Sequence, residues 1–341
     1  MQPVGVVGSG SFGTTIAKLL AVNTDVLVYT RKAEVLTSIN EQHEHMGYAL
    51  SERIRATTSL EELTEQCTLL FPVVPSASFR NAIRDLSPHL HPYHILIHGT
   101  KGFDFTPGAG DPDQQLTREE VHTMSEVILQ ETDIVRVGCL SGPNLASEIL
   151  AGQPAATVIA SSYREVIDLG KEFLRSPGFH VFGSGDILGA ELGGALKNII
   201  AIGAGVLHGK GLGHNIHALL LTRGLSEMIT IGQAMGASAR AFLGTAGIGD
   251  LIATASSTDS RNFSFGELLA QGKTRREITG EMAELAEGER TLRIAHRLAT
   301  YYRIKVPITS MLYKVVFEDF DIDRAIQFLM AYPFEEDTSF V

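Results

Sequence analysis

Cysteine is scarce: Cys67 and Cys139 are the only two in 341 residues. They build no disulfide framework and no C-x-x-C metal pair, a usage typical of a reducing compartment. Positive charge is in deficit as well. Twenty-eight Lys and Arg face 39 Asp and Glu, a formal net charge of -11. That balance leaves no broad basic footprint for nucleic acid, so an anionic ligand must meet a small local cluster of cations. Uninterrupted apolar runs are missing too. The longest apolar stretch, Leu192 to Leu207, is broken by Lys197 and Asn198, and reads as a buried helix of a soluble protein, not a membrane span. No basic segment with a cleavage site follows Met1, so no secretory signal is expected and the cytoplasm is the expected home. What the chain does have is apolar content, 44%, too much for a disordered chain. It also has 34 glycines in clusters, a sign of backbone that approaches ligands or other backbone closely.

The length suggests two domains. Over the first hundred residues short apolar runs alternate with helix-like stretches: strands at Val4–Val7, Asp25–Tyr29, Leu69–Val74 and Ile95–His98, helices at Thr14–Ala21, Glu34–Asn40 and Ala77–Leu86. This alternation implies crossover connections and a parallel α/β sheet. Phe103 to Thr117, rich in Pro, Gly and Asp, reads as an exposed loop. A helix is expected over Arg118–Gln130, then strands near Ile134–Leu140 and Ala156–Ser161. From about Gly185 strand signals give way to long apolar-periodic helices. The expected division is residues 1–186, a dinucleotide-binding domain, and 187–341, a helical substrate domain.

Gly8-Ser9-Gly10-Ser11-Phe12-Gly13 is a G-x-G-x-x-G between a strand and a helix. Gly8 allows the tight turn, Gly10 lets backbone approach a pyrophosphate, and Gly13 lets helix and strand pack closely, with the helix N-terminus meeting the negative charge. The second strand runs out as Tyr29-Thr30-Arg31-Lys32, with no carboxylate at its tip for a ribose hydroxyl. That favours a 2'-phosphate, hence NADP(H), with Arg31 the better contact because it binds bidentately. Solvated surface charge is the lesser alternative for Arg31 and Lys32, and Glu34 keeps NAD(H) open.

Four further segments bear chemistry. Gly99-Thr100-Lys101-Gly102 follows a strand, where ligands of such sheets bind. Ser141-Gly142-Pro143-Asn144 follows another. In Glu191 to Asn198, Lys197 sits inside an apolar helix. A lysine there is costly to desolvate unless paired or lining a cavity, and desolvation tunes it toward acid–base work; a snorkelling lysine is the plainer alternative. Gly247 to Asp250 is followed by Thr254 and by Ser260-Arg261-Asn262. Asp250 and Thr254 share a face if helical, and Arg261 is of the type that clamps phosphate.

Taken in order, these segments resemble the bacterial-type NAD(P)-dependent glycerol-3-phosphate dehydrogenases, from Val4 to about Thr291. The matching pieces are GSGSFGTTIA at Gly8–Ala17, VPS at Val74–Ser76, TKG at Thr100–Gly102 and SGPNLASE at Ser141–Glu148. They continue with ELGGALKNIIAIGAG at Glu191–Gly205, GHNIHALLLTRGLSEM at Gly213–Met228, GTAGIGDLIATASS at Gly244–Ser257 and SRNFSFG at Ser260–Gly266. The resemblance implies an N-terminal Rossmann-type domain with a C-terminal all-helical domain, a homodimer, and reversible reduction of dihydroxyacetone phosphate to sn-glycerol 3-phosphate, which supplies glycerophospholipid synthesis. It implies that Ser11, Phe12, Arg31, Lys101, Ala146 and Glu287 contact the cofactor. It places Lys101, Gly142, Asn144, Lys197, Asp250, Ser260, Arg261 and Asn262 around the substrate, with Arg261 reaching toward the cofactor too. Lys197 is implied as the acid/base, with Lys101, Asp250 and Thr254 completing the catalytic set.

The sequence departs from that pattern in places. The family's Asn-x-x-Tyr-Leu-Pro stretch is here His45 to Leu50, keeping Tyr48 but losing the Asn and the Pro. The family's serine in S-G-P-S is Asn144, and the 103–117 loop is long and acidic. A related 3-hydroxy-acid dehydrogenase would share the lysine helix but not Ser260-Arg261-Asn262, and a non-catalytic cofactor sensor would be expected to lose Lys197 or the phosphate clamp. No metal is expected: His91, His94 and His98 have no accompanying carboxylate pattern.

Overall fold

The structure, a computed structural model, describes residues 2–105, 117–282 and 286–333. Most of the expected 103–117 loop and the acidic Glu335–Asp337 ending lie outside the described residues. The chain divides into two compact units. The first comprises residues 2–104 and 123–190; the second comprises Phe105, 117–122 and 191–333. Within the long helix the two units divide at Ala190/Glu191, and its first turn belongs with the sheet: Ile187 packs against the sheet core, and its carbonyl faces the Cys139 thiol at 3.9 Å.

The first unit is built on an eight-stranded sheet: β1 Val4–Val7, β2 Val26–Tyr29, β3 Ile54–Thr57, β4 Leu69–Pro72, β5 Ile95–His98, β6 Val137–Ser141, β7 Ala155–Ala160 and β8 Phe179–Ser184. The spatial order is β8-β7-β6-β5-β4-β1-β2-β3. From β3 to β6 every pairing is parallel. The expected parallel α/β sheet is present, with one antiparallel pairing near its edge. β7 runs antiparallel to β6, with β8 parallel to β7. After β6 the chain turns back through a five-residue helix that lies against the first helix of the unit, instead of crossing over the sheet.

The helices are α1 Ser11–Leu20, α2 Ala33–Thr37, α3 Leu60–Gln66, α4 Ser76–Leu86, α5 Met124–Glu131, α6 Ala146–Leu150 and α7 Arg164–Leu174. The strands read as apolar runs because both faces are covered, and their period of two sorts the side chains. Val4, Val6, Val26, Val28, Phe71 and Ile97 point to the face of α1 and α7, meeting Ile16, Leu20, Val166 and Leu174. Val7, Leu27, Leu70 and Leu96 point to the face of α3, α4 and α5, meeting Leu63, Phe79, Ile83 and Val127. The helix expected over Arg118–Gln130 starts later. Arg118–Glu120 is a single 3-10 turn, and α5 begins only at Met124. Thr123 and Glu126 form a reciprocal capping box that sets this start, which the sequence carries as T-x-x-E.

The second unit is helical: α8 Ile187–Gly209 from Glu191 onward, α9 His214–Ala234, α10 Ala239–Phe242, α11 Asp250–Ala255, α12 Arg261–Ala270, α13 Arg275–Glu281, α14 Glu287–Tyr302, α15 Pro307–Phe317 and α16 Ile322–Ala331. α8 is long and apolar enough to cross a membrane, but 89% of its most apolar window is buried against protein. Helices α8 and α12 touch backbone to backbone. A Cβ on Gly205 would sit 1.9 Å from the Phe263 carbonyl oxygen, and one on Gly266 would sit 2.0 Å from that of Ile202. Only glycine permits this approach, and it brings Asn198 of α8 against Asn262 at the start of α12.

Candidate active site

In the second unit, Lys197 extends from the middle of α8 and is only 5% exposed. Its ammonium group donates to Asp250 Oδ1 and to Thr254 Oγ1. Thr254 Oγ1 lies 3.4 Å from the same carboxylate oxygen, one turn along α11. Asp250 and Thr254 are 1% and 4% exposed. Burying a lone ammonium would be prohibitive; a paired and hydrogen-bonded one is tolerated. A π-helical turn, Thr245–Gly249, leads into α11 and sets where Asp250 stands, a local irregularity often found at functional sites.

A second polar cluster adjoins it in sequence. Asn262 Nδ2 donates to Asn198 Oδ1 at 2.9 Å, and Asn262 Oδ1 accepts from Gly288 N at 2.8 Å. This buried amide chain ties α8, α12 and the first turn of α14 together. Gly288 must lack a side chain, since a Cβ there would fall 2.6 Å from Asn262 Oδ1. Ser260 caps α12, its hydroxyl accepting from Phe263 N. Arg261 is the first residue of that helix and is exposed, and Glu287 is the first of α14.

In the first unit the three loop glycines behave differently. Gly8 has φ +119°, and a Cβ on it would meet the Val73 carbonyl at 2.5 Å. A Cβ on Gly13 would fall 2.0 Å from the Gly8 carbonyl, whereas one on Gly10 would meet nothing within 4 Å. The first and third glycines are thus required by packing, and the second leaves open space at the N-terminus of α1. That terminus has no capping side chain and no acidic residue in its first turn, so its N–H groups and dipole suit an anion. Phe12 lies against Gly99, 3.0 Å from where a Cβ would stand. Ser9 is held by Thr30 through a hydroxyl–hydroxyl contact of 2.8 Å, and its carbonyl accepts from His45 Nε2 at 2.8 Å. Arg31, just past β2, is exposed and has no side-chain partner among the described residues.

Lys101, after β5, donates to the Gly142 carbonyl at 2.9 Å. Gly142 has φ +147°, and a Cβ on it would stand 3.2 Å from Thr157 Cα. Asn144 Nδ2 donates to Thr157 Oγ1 at 2.9 Å, and Ala146 opens α6. The structure therefore gathers Lys197, Asp250 and Thr254 into one cluster and Ser260, Arg261 and Asn262 onto one helix start. Lys101, on the loop after β5, reaches the loop after β6 that carries Gly142 and Asn144. Sequence reasoning missed Thr157, Asn198, Gly288 and His45 as supports. Asn198 adjoins Lys197 and was visible as a polar break in an apolar helix; the other three carry no local signal.

Two descriptions of one family match the chain: NAD-dependent glycerol-3-phosphate dehydrogenase N-terminus over residues 3–167, and the C-terminus of the same over residues 186–327. A glycerol-3-phosphate dehydrogenase [NAD(P)+] of Exiguobacterium is 37% identical, covering 98% of this chain and 96% of its own. This chain belongs to the glycerol-3-phosphate dehydrogenase family. The Geobacter metallireducens member is also 37% identical, over 96% of this chain and 97% of its own. Among solved structures, the glycerol-3-phosphate dehydrogenase of Coxiella burnetii superposes with a TM-score of 0.86 at 29% identity, covering 97% of this chain and 99% of that one. A nicotinamide cofactor belongs to the family, and the open space beside Gly10 fits a pyrophosphate at the start of α1.

Proposed function

We propose that this chain reduces dihydroxyacetone phosphate to sn-glycerol 3-phosphate, reversibly, with a nicotinamide cofactor. The observation that carries the reading is the buried Lys197–Asp250–Thr254 cluster in a chain of this family. The cofactor, when bound, supplies a hydride to C2 of the ketone. Lys197 stabilises the charge that grows on the ketone oxygen and gives it a proton. Asp250 and Thr254 hold the ammonium in place, so that no reorganisation is needed as the charge develops.

Arg261, at the start of α12, pairs with the substrate phosphate together with the backbone amide of Asn262, and also reaches toward the cofactor. Ser260 and the Asn198–Asn262–Gly288 chain fix that helix start. Binding the phosphate, remote from C2, supplies energy for orientation at the reacting carbon. Lys101, Gly142 and Asn144 are further substrate contacts, and Lys101 serves catalysis and the cofactor as well. Gly8, Gly10, Ser11, Phe12, Gly13, Arg31, Ala146 and Glu287 serve the cofactor. Arg31 favours NADP(H) over NAD(H), because an exposed guanidinium past β2 suits a 2'-phosphate. We place the enzyme in the cytoplasm as a homodimer that supplies glycerophospholipid synthesis.

The test follows absorbance at 340 nm with dihydroxyacetone phosphate and either NADPH or NADH. Oxidation is expected that vanishes with unphosphorylated dihydroxyacetone and in Lys197→Ala, while that variant still binds cofactor. Arg31→Ala should raise KM for NADPH and leave that for NADH. A strong NADH preference in the unaltered protein refutes the Arg31 assignment, and near-normal turnover in Lys197→Ala refutes the acid/base role.

A further inference from the structure

Asn144 is oriented by its neighbours. Thr157, fully buried, donates its hydroxyl proton to the Ser141 carbonyl at 3.2 Å. A hydroxyl has one proton, so toward Asn144 the same oxygen can only accept, and the side-chain nitrogen of Asn144 must face it. Asn144 Oδ1 is thereby turned away from Thr157. It is shut off from solvent and has no donor among the described residues. The loop that carries it has little slack. Lys101 holds the Gly142 carbonyl, and Gly142 stands at positive φ, close against Thr157. A buried acceptor without a donor is costly, and an acceptor held in place this way makes sense when a ligand brings the donor.

We propose that Asn144 Oδ1 is a built acceptor for an O–H or N–H group of the reacting ligands, and that it makes this chain selective for ligands bearing that group. The proposal rests on the dehydrogenase reading. With its nitrogen committed to Thr157, the Asn144 side chain can only accept, through Oδ1. Two groups have the required chemistry: the C1 hydroxyl of the phosphorylated ketone and the carboxamide N–H of the nicotinamide ring.

The experiment compares the unaltered protein with Asn144→Leu and Asn144→Ser in two arms. One arm measures kcat/KM for dihydroxyacetone phosphate and for hydroxyacetone phosphate, in which a methyl group replaces the hydroxymethyl group. The other measures Kd for the natural cofactor and for its 3-acetylpyridine analogue, which lacks the amide N–H. Asn144→Leu is expected to lose about 10- to 100-fold with the natural ligand of one arm and nothing further with that arm's analogue, which names the donor. Asn144→Ser, still able to accept, should lose less than Asn144→Leu. If Asn144→Leu does not fold, the same comparison with Asn144→Ser decides, with a smaller loss confined to the same arm. Losses equal for natural ligands and analogues in both arms, or no loss in either, overturn the assignment of Asn144 alone. An unaltered protein that oxidises no cofactor with dihydroxyacetone phosphate overturns the dehydrogenase reading and this inference with it.

Discussion

The Lys197–Asp250 pair makes a prediction with a sign that depends on which partner is removed. Both side chains are buried and joined by an ion pair. Breaking such a pair from one side costs about 3–5 kcal/mol, because the other charge is left buried. Each stranded group has an escape that caps the cost. In Asp250→Asn the lysine can release its proton, which from an ordinary value near 10.4 costs about 5 kcal/mol at pH 7. In Lys197→Met the aspartate can take one up, which from an ordinary value near 3.9 costs about 4 kcal/mol at pH 7. The two variants should therefore respond to pH in opposite directions. In Asp250→Asn the unfolded chain binds more protons than the native one, so stability climbs as pH rises toward 10. In Lys197→Met the native state binds more protons, so stability climbs as pH falls toward 4. The double variant strands no charge and should lose less than the sum of the singles. Urea unfolding by circular dichroism from pH 5 to 9 measures this, with hydrogen exchange in α8 reporting the second unit separately. Losses below about 1 kcal/mol in both singles, or pH slopes of the same sign, would refute a buried pair.

Glu227 carries a second pH dependence. Its carboxylate accepts from Ile308 N at 2.6 Å, Thr309 N at 2.9 Å and Thr309 Oγ1 at 2.8 Å, capping α15. Burial pushes it up from 4.5 to about 7, against the pull of those donors. The native state thus holds the proton more tightly than the unfolded chain. The stabilisation is full below pH 4.5 and falls by roughly 3 kcal/mol as pH rises through 7. Glu227→Gln should flatten this slope in urea unfolding, and an unchanged slope would contradict the assignment. The loop glycines should separate stability from binding. Gly10→Ala keeps its Tm and weakens cofactor affinity at least tenfold. Gly13→Ala, whose methyl group falls 2.0 Å from the Gly8 carbonyl, loses about 1–3 kcal/mol of stability. Equal melting temperatures in the two variants would show that the third glycine is not needed for packing.

What was legible in the sequence was local or redundant. Gly8, Gly10 and Gly13 announce themselves because each solves a backbone problem within six residues. Lys197 does so because a charge within an apolar run has few explanations, and Asp250 and Thr254 because a spacing of four makes one helical face. β3 and α3 escaped notice: Ile54-Arg55-Ala56-Thr57 is short and its Arg55 is exposed, so no clear apolar run marks a strand. The reversal of β7 was equally hidden, since the alternation of strands and helices fixes elements and not directions. α5 was misplaced because Val121, wholly buried, extends the apolar pattern upstream of the Thr123–Glu126 capping box that starts the helix.

The supports of the site were the least legible part, for a physical reason. Thr157 orients Asn144 from 13 residues away, and Gly288 donates its N–H to Asn262 from 26 residues away. A threonine in a strand and a glycine at a helix start have ordinary local explanations, and only the tertiary fold gives them a polar partner. The groups that meet ligands must be chemically unusual for where they stand, which makes them readable. The groups that hold them in place need only reach, and reach is a property of the fold.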